Sequence, residues 1–294
     1  MTTRKMTKKA FKEKEKRNEA KKSQTELILP KIPKLSQSLV KALYKYKLKE
    51  ECGLRIHASY IDGMNFPYTE LDELDNYFKF KATGQLPNDN QNPQPILLKN
   101  GNPSIDYTRM DIQSDNFKTI MKRLNFNIEQ TKFEFTNPLY AGIIDILAND
   151  MNIKSIVKNN KRMIIQLKSS AIINDKISPN GWANDSIEEK WDLLIEAIHY
   201  KMLAKYEWGI EDIPFYFFVF NTKNEWEYKM FKINVYSETM QQHYSNLKNI
   251  KIFLDETLKT GFVAHPKYNI CRTCPLSITC NSAVDVPEIQ EVFI

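Results

Sequence analysis

No stretch of these 294 residues approaches the ~20 consecutive apolar residues that a membrane-spanning helix needs. The opening segment, MTTRKMTKKAFKEKEKRNEAKK, lacks the apolar centre of a secretory leader. The chain is therefore expected to be soluble and cytoplasmic. Cysteine is scarce, with four in all, and in that compartment cysteines do not build a disulfide framework. A net positive charge is also missing from most of the chain. Residues 1–23 carry ten Lys/Arg against three Glu, a net +7, while the whole chain is +6, so the rest is about −1. Residues 1–35 read as a basic tail, closed by the two prolines of LPKIPKL. Such an arm can neutralise nucleic-acid phosphates, or it can be a solvated segment with no partner.

What is present suits a single enlarged α/β domain over residues 36–294. Apolar residues make up 42% of the chain, with 16 Phe and 14 Tyr, enough for a sizeable core. SQSLVKALYKYKLKEE (36–51) has helical spacing and a serine cap, and it delivers Cys52. Residues 75–81 predict a helix ending near Gly84, and residues 106–124 an amphipathic one. Residues 88–105 read as an Asn/Gln/Pro-rich loop. TKFEF (131–135) alternates, as a half-buried strand does. LYAGIIDIL (139–147) and RMIIQL (162–167) predict a β-hairpin. After a loop with Pro179 and Gly181, Asp185 and the capping box Ser186–Glu189 open a helix that runs to about Trp208. PFYFFVFN (214–221) predicts a central strand, EWEYKMFKI (225–233) an edge strand, and 237–259 a last long helix.

Within the hairpin, Asp145 interrupts an apolar strand, and Gln166 and Lys168 emerge together from the next. A carboxylate in such a place is costly unless something pairs it. Oxygen ligands beside a lysine are what a metal-dependent phosphodiesterase needs: a seat for Mg²⁺ or Mn²⁺ and a cation next to the attacking water. Glu134, on the preceding strand, is a further candidate carboxylate, and the Leu167 carbonyl a further ligand.

Three of the cysteines, Cys271, Cys274 and Cys280, fall within ten residues as C-x2-C-x5-C. Thiolates packed so closely call for a metal, and Cys52 supplies a fourth ligand if the two segments meet. Counting alone leaves a four-cysteine zinc site and an iron–sulfur cluster both open.

Gly142, Asp145, Gln166 and Lys168, in the order G-x-x-D, hairpin, [D/E]-x-K, resemble the core of the PD-(D/E)XK nucleases. A lone Cys before that core and three after it are similar to the iron–sulfur members of the RecB-like branch, which include the CRISPR-associated adaptation exonucleases and the AddB nuclease domain. The resemblance spans residues 40 to 282. It implies a restriction-endonuclease-like αβββαβ core, placed at 131–233, with a mixed sheet flanked by helices. It implies that Cys52, Cys271, Cys274 and Cys280 hold a structural [4Fe–4S] cluster through a C-terminal segment at 262–282. It implies hydrolysis of DNA at single-stranded or duplex ends, beside a helicase or recombination protein. In that family the helix after the lysine carries Q-x-x-x-Y facing the site. Here Tyr200 matches and Glu196 replaces the Gln, while Gln166 stands where an acid is expected. The two exchanges conserve charge, so Glu196 is expected to restore the missing carboxylate. The family's metal-binding His, some tens of residues past the first Cys, has no counterpart in 71–87.

Overall fold

The computed structural model describes residues 33–66, 69–86, 91–155, 157–174, 182, 191–272 and 274–284. Residues 1–32 of the basic tail, the loop with Pro179 and Gly181, and the capping box Ser186–Glu189 lie outside the described residues. Contacts divide the chain after Pro33, and the fold is that of residues 34–294.

A two-residue strand, β1 (Leu35–Ser36), leads into α1 (Gln37–Lys47), where the Ser36 hydroxyl accepts the Leu39 N–H and caps the helix. Next come α2 (Gly53–Ile56), extended by a π-helical turn to Ile61, then α3 (Glu70–Thr83) and α4 (Ile105–Leu124). A Thr69/Asp72 capping box opens α3, and Gly84, at φ +76°, closes it. The strands β2 (Phe126–Glu134), β3 (Tyr140–Ala141), β4 (Ile143–Asp150) and β5 (Arg162–Ser170) follow. Then come α5 (Trp191–Trp208), β6 (Phe215–Asn221), β7 (Tyr228–Lys232), α6 (Ser237–Thr260) and α7 (Tyr268–Cys271).

The main sheet has the order β2-β4-β5-β6-β7. Pairs β2·β4 and β4·β5 are antiparallel, β5·β6 is parallel across α5, and β7 returns antiparallel at the edge. This is a mixed sheet with helices on both faces. Among the described residues, no helix is long and apolar enough to cross a membrane.

The run FYFFVFN shows why β6 is central. Phe215, Phe217 and Val219 join a core with residues of α1, α5 and α6. Phe218 and Phe220 join a second core on the other face, against α3 and α4. A strand covered on both sides has no polar face to display. The edge strand β7 alternates instead, with Tyr228 and Met230 exposed. Strand β2 begins five residues before the segment that alternates in sequence, because FNIEQ is a half-exposed edge and carries little apolar signal.

Strand β4 changes phase at Asp145. Ile144 and Leu147 enter the first core, and Ile146 and Ala148 the second. On the partner strand Lys132 lies between Thr131, opposite Ile146, and Phe133, opposite Ile144. Its φ is +51°, uncommon for a residue with a Cβ. Just before β4, Gly142 lets α5 come close: a Cβ there would stand 2.5 Å from Leu203 Cδ1 and 3.0 Å from the Tyr200 ring. The glycine of G-x-x-D is thus a packing requirement of the helix that carries Glu196 and Tyr200.

Candidate active site and cysteine centre

The paired part of β4 and β5 ends at Ile146 opposite Ile165. Beyond it, side chains replace the ladder. The Asp145 N–H donates to Gln166 Oε1 at 3.3 Å, and the Leu167 N–H donates to Asp145 Oδ2 at 2.9 Å. Polar residues stand here because the two strands part and their amides still need acceptors. Asp145 and Gln166 are both buried.

Two residues after Gln166, on the same face of β5, Lys168 reaches across to α5. Its Nζ lies 2.9 Å from Glu196 Oε1 and 3.0 Å from Oε2. Lys41 of α1 approaches the same carboxylate at 3.8 Å. One turn beyond Glu196, Tyr200 is stacked between Phe135 and Phe215, each ring centroid 6.4 Å away. Burial pushes its phenol pKa well above the ordinary value, the carboxylates of Glu196 and Asp145 push it further, and a hydrogen bond with Gln37 opposes them. Tyr200 therefore keeps its proton and offers a donor.

The structure brings Asp145, Gln166, Leu167, Lys168, Glu196 and Tyr200 together where the two helix layers meet the parted strands. It does not bring Glu134. That residue pairs with Ile143, two residues before Asp145 and beyond the phase change of β4, and its side chain is exposed.

Sequence reasoning missed Lys79. From α3 its Nζ lies 3.2 Å from Asp145 Oδ1 and 3.0 Å from Asp75 Oδ2. Burial lowers its pKa, but the two carboxylates outweigh burial, so the group stays an ammonium with a pKa above the ordinary lysine range. Asp75 in turn accepts from Ser169 Oγ at 2.9 Å. Lys79 falls in the segment that lacks the expected His. The signal was its i,i+4 pairing with Asp75 beside the buried Leu74 and Phe78.

Asp145, Glu196, the Gln166 amide oxygen and the Leu167 carbonyl are hard oxygen donors, a set that suits Mg²⁺ or Mn²⁺. Both carboxylates already have ammonium partners. Among the described residues, no three His, Cys, Asp or Glu side chains are grouped closely enough to hold one ion.

The cysteines meet elsewhere. Cys52 immediately precedes α2, and Cys271 ends α7. With Cys274 and Cys280 they line one cavity of about 410 Å³, together with Leu54, Arg55 and Ile270. The segments that carry them are joined beside it. The Val263 N–H donates to Tyr46 Oη at 2.9 Å, and the Tyr46 ring packs against Phe262 and His265. Gly53 makes the approach possible, since a Cβ there would stand 2.3 Å from the Val263 oxygen.

The fold is similar to that of a solved structure, the crystal structure of a "putative exonuclease" from Eubacterium rectale, with TM-score 0.55, 15% identity, and coverage of 98% of this chain and 97% of that chain. The likeness is one of fold. No protein-family model and no curated protein matches the chain.

Behind the site lies a buried histidine pair. His199 Nε2 donates to the Ala141 carbonyl at 3.0 Å, so its Nδ1 is the acceptor for the His243 Nε2–H at 3.3 Å. Burial lowers the His199 pKa to about 4, against the opposing Ala141 bond. Burial, then His199, lowers that of His243 to about 3. Above pH 6.5 both imidazoles are neutral folded or unfolded. As the pH falls below that value, only the unfolded chain takes up these protons, so stability falls. The slope is roughly 1.4 kcal/mol per pH unit for each imidazole, and the loss continues down to about pH 4 for His199 and about pH 3 for His243. Urea unfolding at pH 7 and pH 5 should show a stability drop of roughly 4 kcal/mol, reduced by about half in His243→Phe. Equal stability at both pH values would exclude the neutral pair.

Proposed function

We propose that this protein is a divalent-cation-dependent DNA nuclease, an exonuclease acting on DNA ends, whose fold is clasped by a structural [4Fe–4S] cluster. The observation that carries the reading is the convergence of Lys168 and Glu196, from separate elements, beside the Asp145–Gln166 pair. The acid absent at position 166 is thereby matched by one on the neighbouring helix. The neighbour named an exonuclease and the PD-(D/E)XK resemblance support the same chemistry.

Asp145 and Glu196, with the Gln166 oxygen and the Leu167 carbonyl, would hold Mg²⁺ or Mn²⁺. The bound ion supplies an acidified water and positive charge against the phosphorane. The chain's own groups do the rest. Lys168 spends donors on both Glu196 oxygens and has a third N–H for the attacking water or a phosphate oxygen. Its charge opposes the negative charge that builds up during attack. Tyr200 offers its hydroxyl to phosphate on the same helix face. The basic tail of residues 1–35 adds affinity for the DNA backbone in a salt-dependent way.

For the cysteines, a single zinc ion needs all its sulfurs about 2.3 Å from one centre. In a four-iron cluster each thiolate sits on its own iron. These four cysteines line one cavity, and the resemblance to the iron–sulfur RecB-like nucleases favours the cluster.

The test is anaerobically purified full-length protein on end-labelled single- and double-stranded DNA with Mn²⁺, beside Asp145→Asn. Wild type should shorten the label progressively, and the variant should be at least a hundredfold slower. A second reading, a nuclease fold that binds DNA ends without cutting, is favoured by Gln166 and by the Lys79 ammonium on Asp145. DNA retained but intact in both proteins would select it.

A further inference from the structure

Lys79 touches the proposed cation ligand Asp145 directly, and the nuclease reading gives it no role. Asp145 has two oxygens. Leu167 N–H holds Oδ2 at 2.9 Å, and Lys79 stands on Oδ1 at 3.2 Å. A divalent cation seeking Asp145 therefore meets an ammonium on the oxygen it needs. The same ammonium already touches a second carboxylate, Asp75 Oδ2, at 3.0 Å. Asp75 lies four residues earlier on the same helix, so that contact does not depend on Asp145. Ser169 Oγ, donating to the other Asp75 oxygen at 2.9 Å, fixes this second position to the end of β5, next to Lys168.

We propose that Lys79 is a two-position counter-ion: it neutralises Asp145 while no divalent cation is present, and withdraws to Asp75 alone when one binds. The proposal rests on the reading of Asp145 as a cation ligand and adds to it a residue that sets the cation threshold. The physical need is clear. Asp145 is only 9% exposed, and a bare carboxylate there is costly. Lys79 removes that cost at the expense of cation affinity. Gln166, being neutral, adds no charge to help the ion compete. The four-carbon lysine stem lets the ammonium shift while the helix stays in place.

Two substitutions should move cation affinity in opposite directions. Lys79→Met keeps the stem and removes the competitor, so Mn²⁺ should bind at least tenfold more tightly. Asp75→Asn keeps an oxygen for Ser169 but removes the withdrawal position. Lys79 then leans on Asp145 alone, and Mn²⁺ should bind at least threefold more weakly. The double variant should match Lys79→Met. The readout is free Mn²⁺ by electron paramagnetic resonance in titrations of full-length protein, with Asp145→Asn as the variant that abolishes the site. Circular dichroism melts check folding, and Lys79→Gln replaces the Met variant if that one does not fold. Equal affinity in wild type and both single variants would overturn the role of Lys79 and leave the cation site standing. No Mn²⁺ bound by any variant at millimolar concentration would overturn the cation site and this proposal with it.

Discussion

Lys168→Met and Glu196→Gln are each expected to lower DNA cleavage by at least a thousandfold, while the double variant regains stability and no activity. The two losses have different origins. Glu196 has a side chain 5% exposed, whereas Lys168 is 27% exposed. Removing the lysine strands a carboxylate in a nearly dry site, with Lys41, at 3.8 Å, as the remaining ammonium near it among the described residues. Breaking a buried pair in this way costs about 3–5 kcal/mol when nothing screens it. Partial exposure and Lys41 bring the expected cost down to roughly 2 kcal/mol. Removing the glutamate strands a lysine that reaches water, so Glu196→Gln should cost about half as much. In the double variant neither charge is left behind, and the stability effects should be less than additive by about 1 kcal/mol or more. Activity does not recover, because the ammonium beside the reacting phosphate and the substitute acid are both gone. Urea unfolding and end-labelled DNA assays on the four proteins measure both cycles. Additive stability effects would show that the two groups are not coupled, and cleavage surviving either single change would remove them from the chemistry.

This pair also shows how far the sequence could be read. Asp145, Gln166 and Lys168 were legible because each is a polar residue interrupting an apolar strand, and the energetics of burial make such a residue conspicuous. Glu196 and Tyr200 were legible through the family resemblance, which expects Q-x-x-x-Y on the helix after the lysine. The central place of β6 and the edge place of β7 were legible too: the unbroken FYFFVFN run had to be covered on both faces, and the alternating strand after it did not. Lys79, Asp75, Lys41 and Gln37 were not legible. They lie on helices where a charged or polar residue every turn is ordinary, and the one local signal, the i,i+4 pair Asp75–Lys79 beside buried Leu74 and Phe78, does not tell that Lys79 also reaches a carboxylate far away in sequence. Glu134 was a misplaced candidate for a related reason. Strand phase decides its direction, and the backbone departs from regular strand at Lys132, φ +51°, just before it. Gln113 belongs with the unread residues. It is fully buried, and its amide donates to the carbonyls of Asn224 and Glu227, which ties α4 to the turn between β6 and β7.

The largest effect on stability is expected from Cys52→Ser, larger than from Cys280→Ser. The cysteines differ in the loops they close. Cys271, Cys274 and Cys280 span ten residues, so losing Cys280 releases a short segment. Cys52 is joined to them across roughly 220 residues, and a cross-link over a loop of that length restricts the unfolded chain by roughly 5 kcal/mol at 25 °C. Because cluster binding is also folding free energy, each substitution costs something more than its loop. The Tyr46–Val263 hydrogen bond and the Gly53 contact remain in Cys52→Ser and recover part of the loss. Cys52→Ser should therefore melt on the order of 10 °C lower than wild type, and Cys280→Ser by a third of that or less. Both should lose visible absorption near 400 nm, the brown colour of a four-iron cluster in anaerobically purified protein. Equal melting shifts would show that Cys52 does not close the long loop. Colourless wild type with one zinc per chain would replace the cluster by a zinc ion, held by the same four sulfurs at one centre.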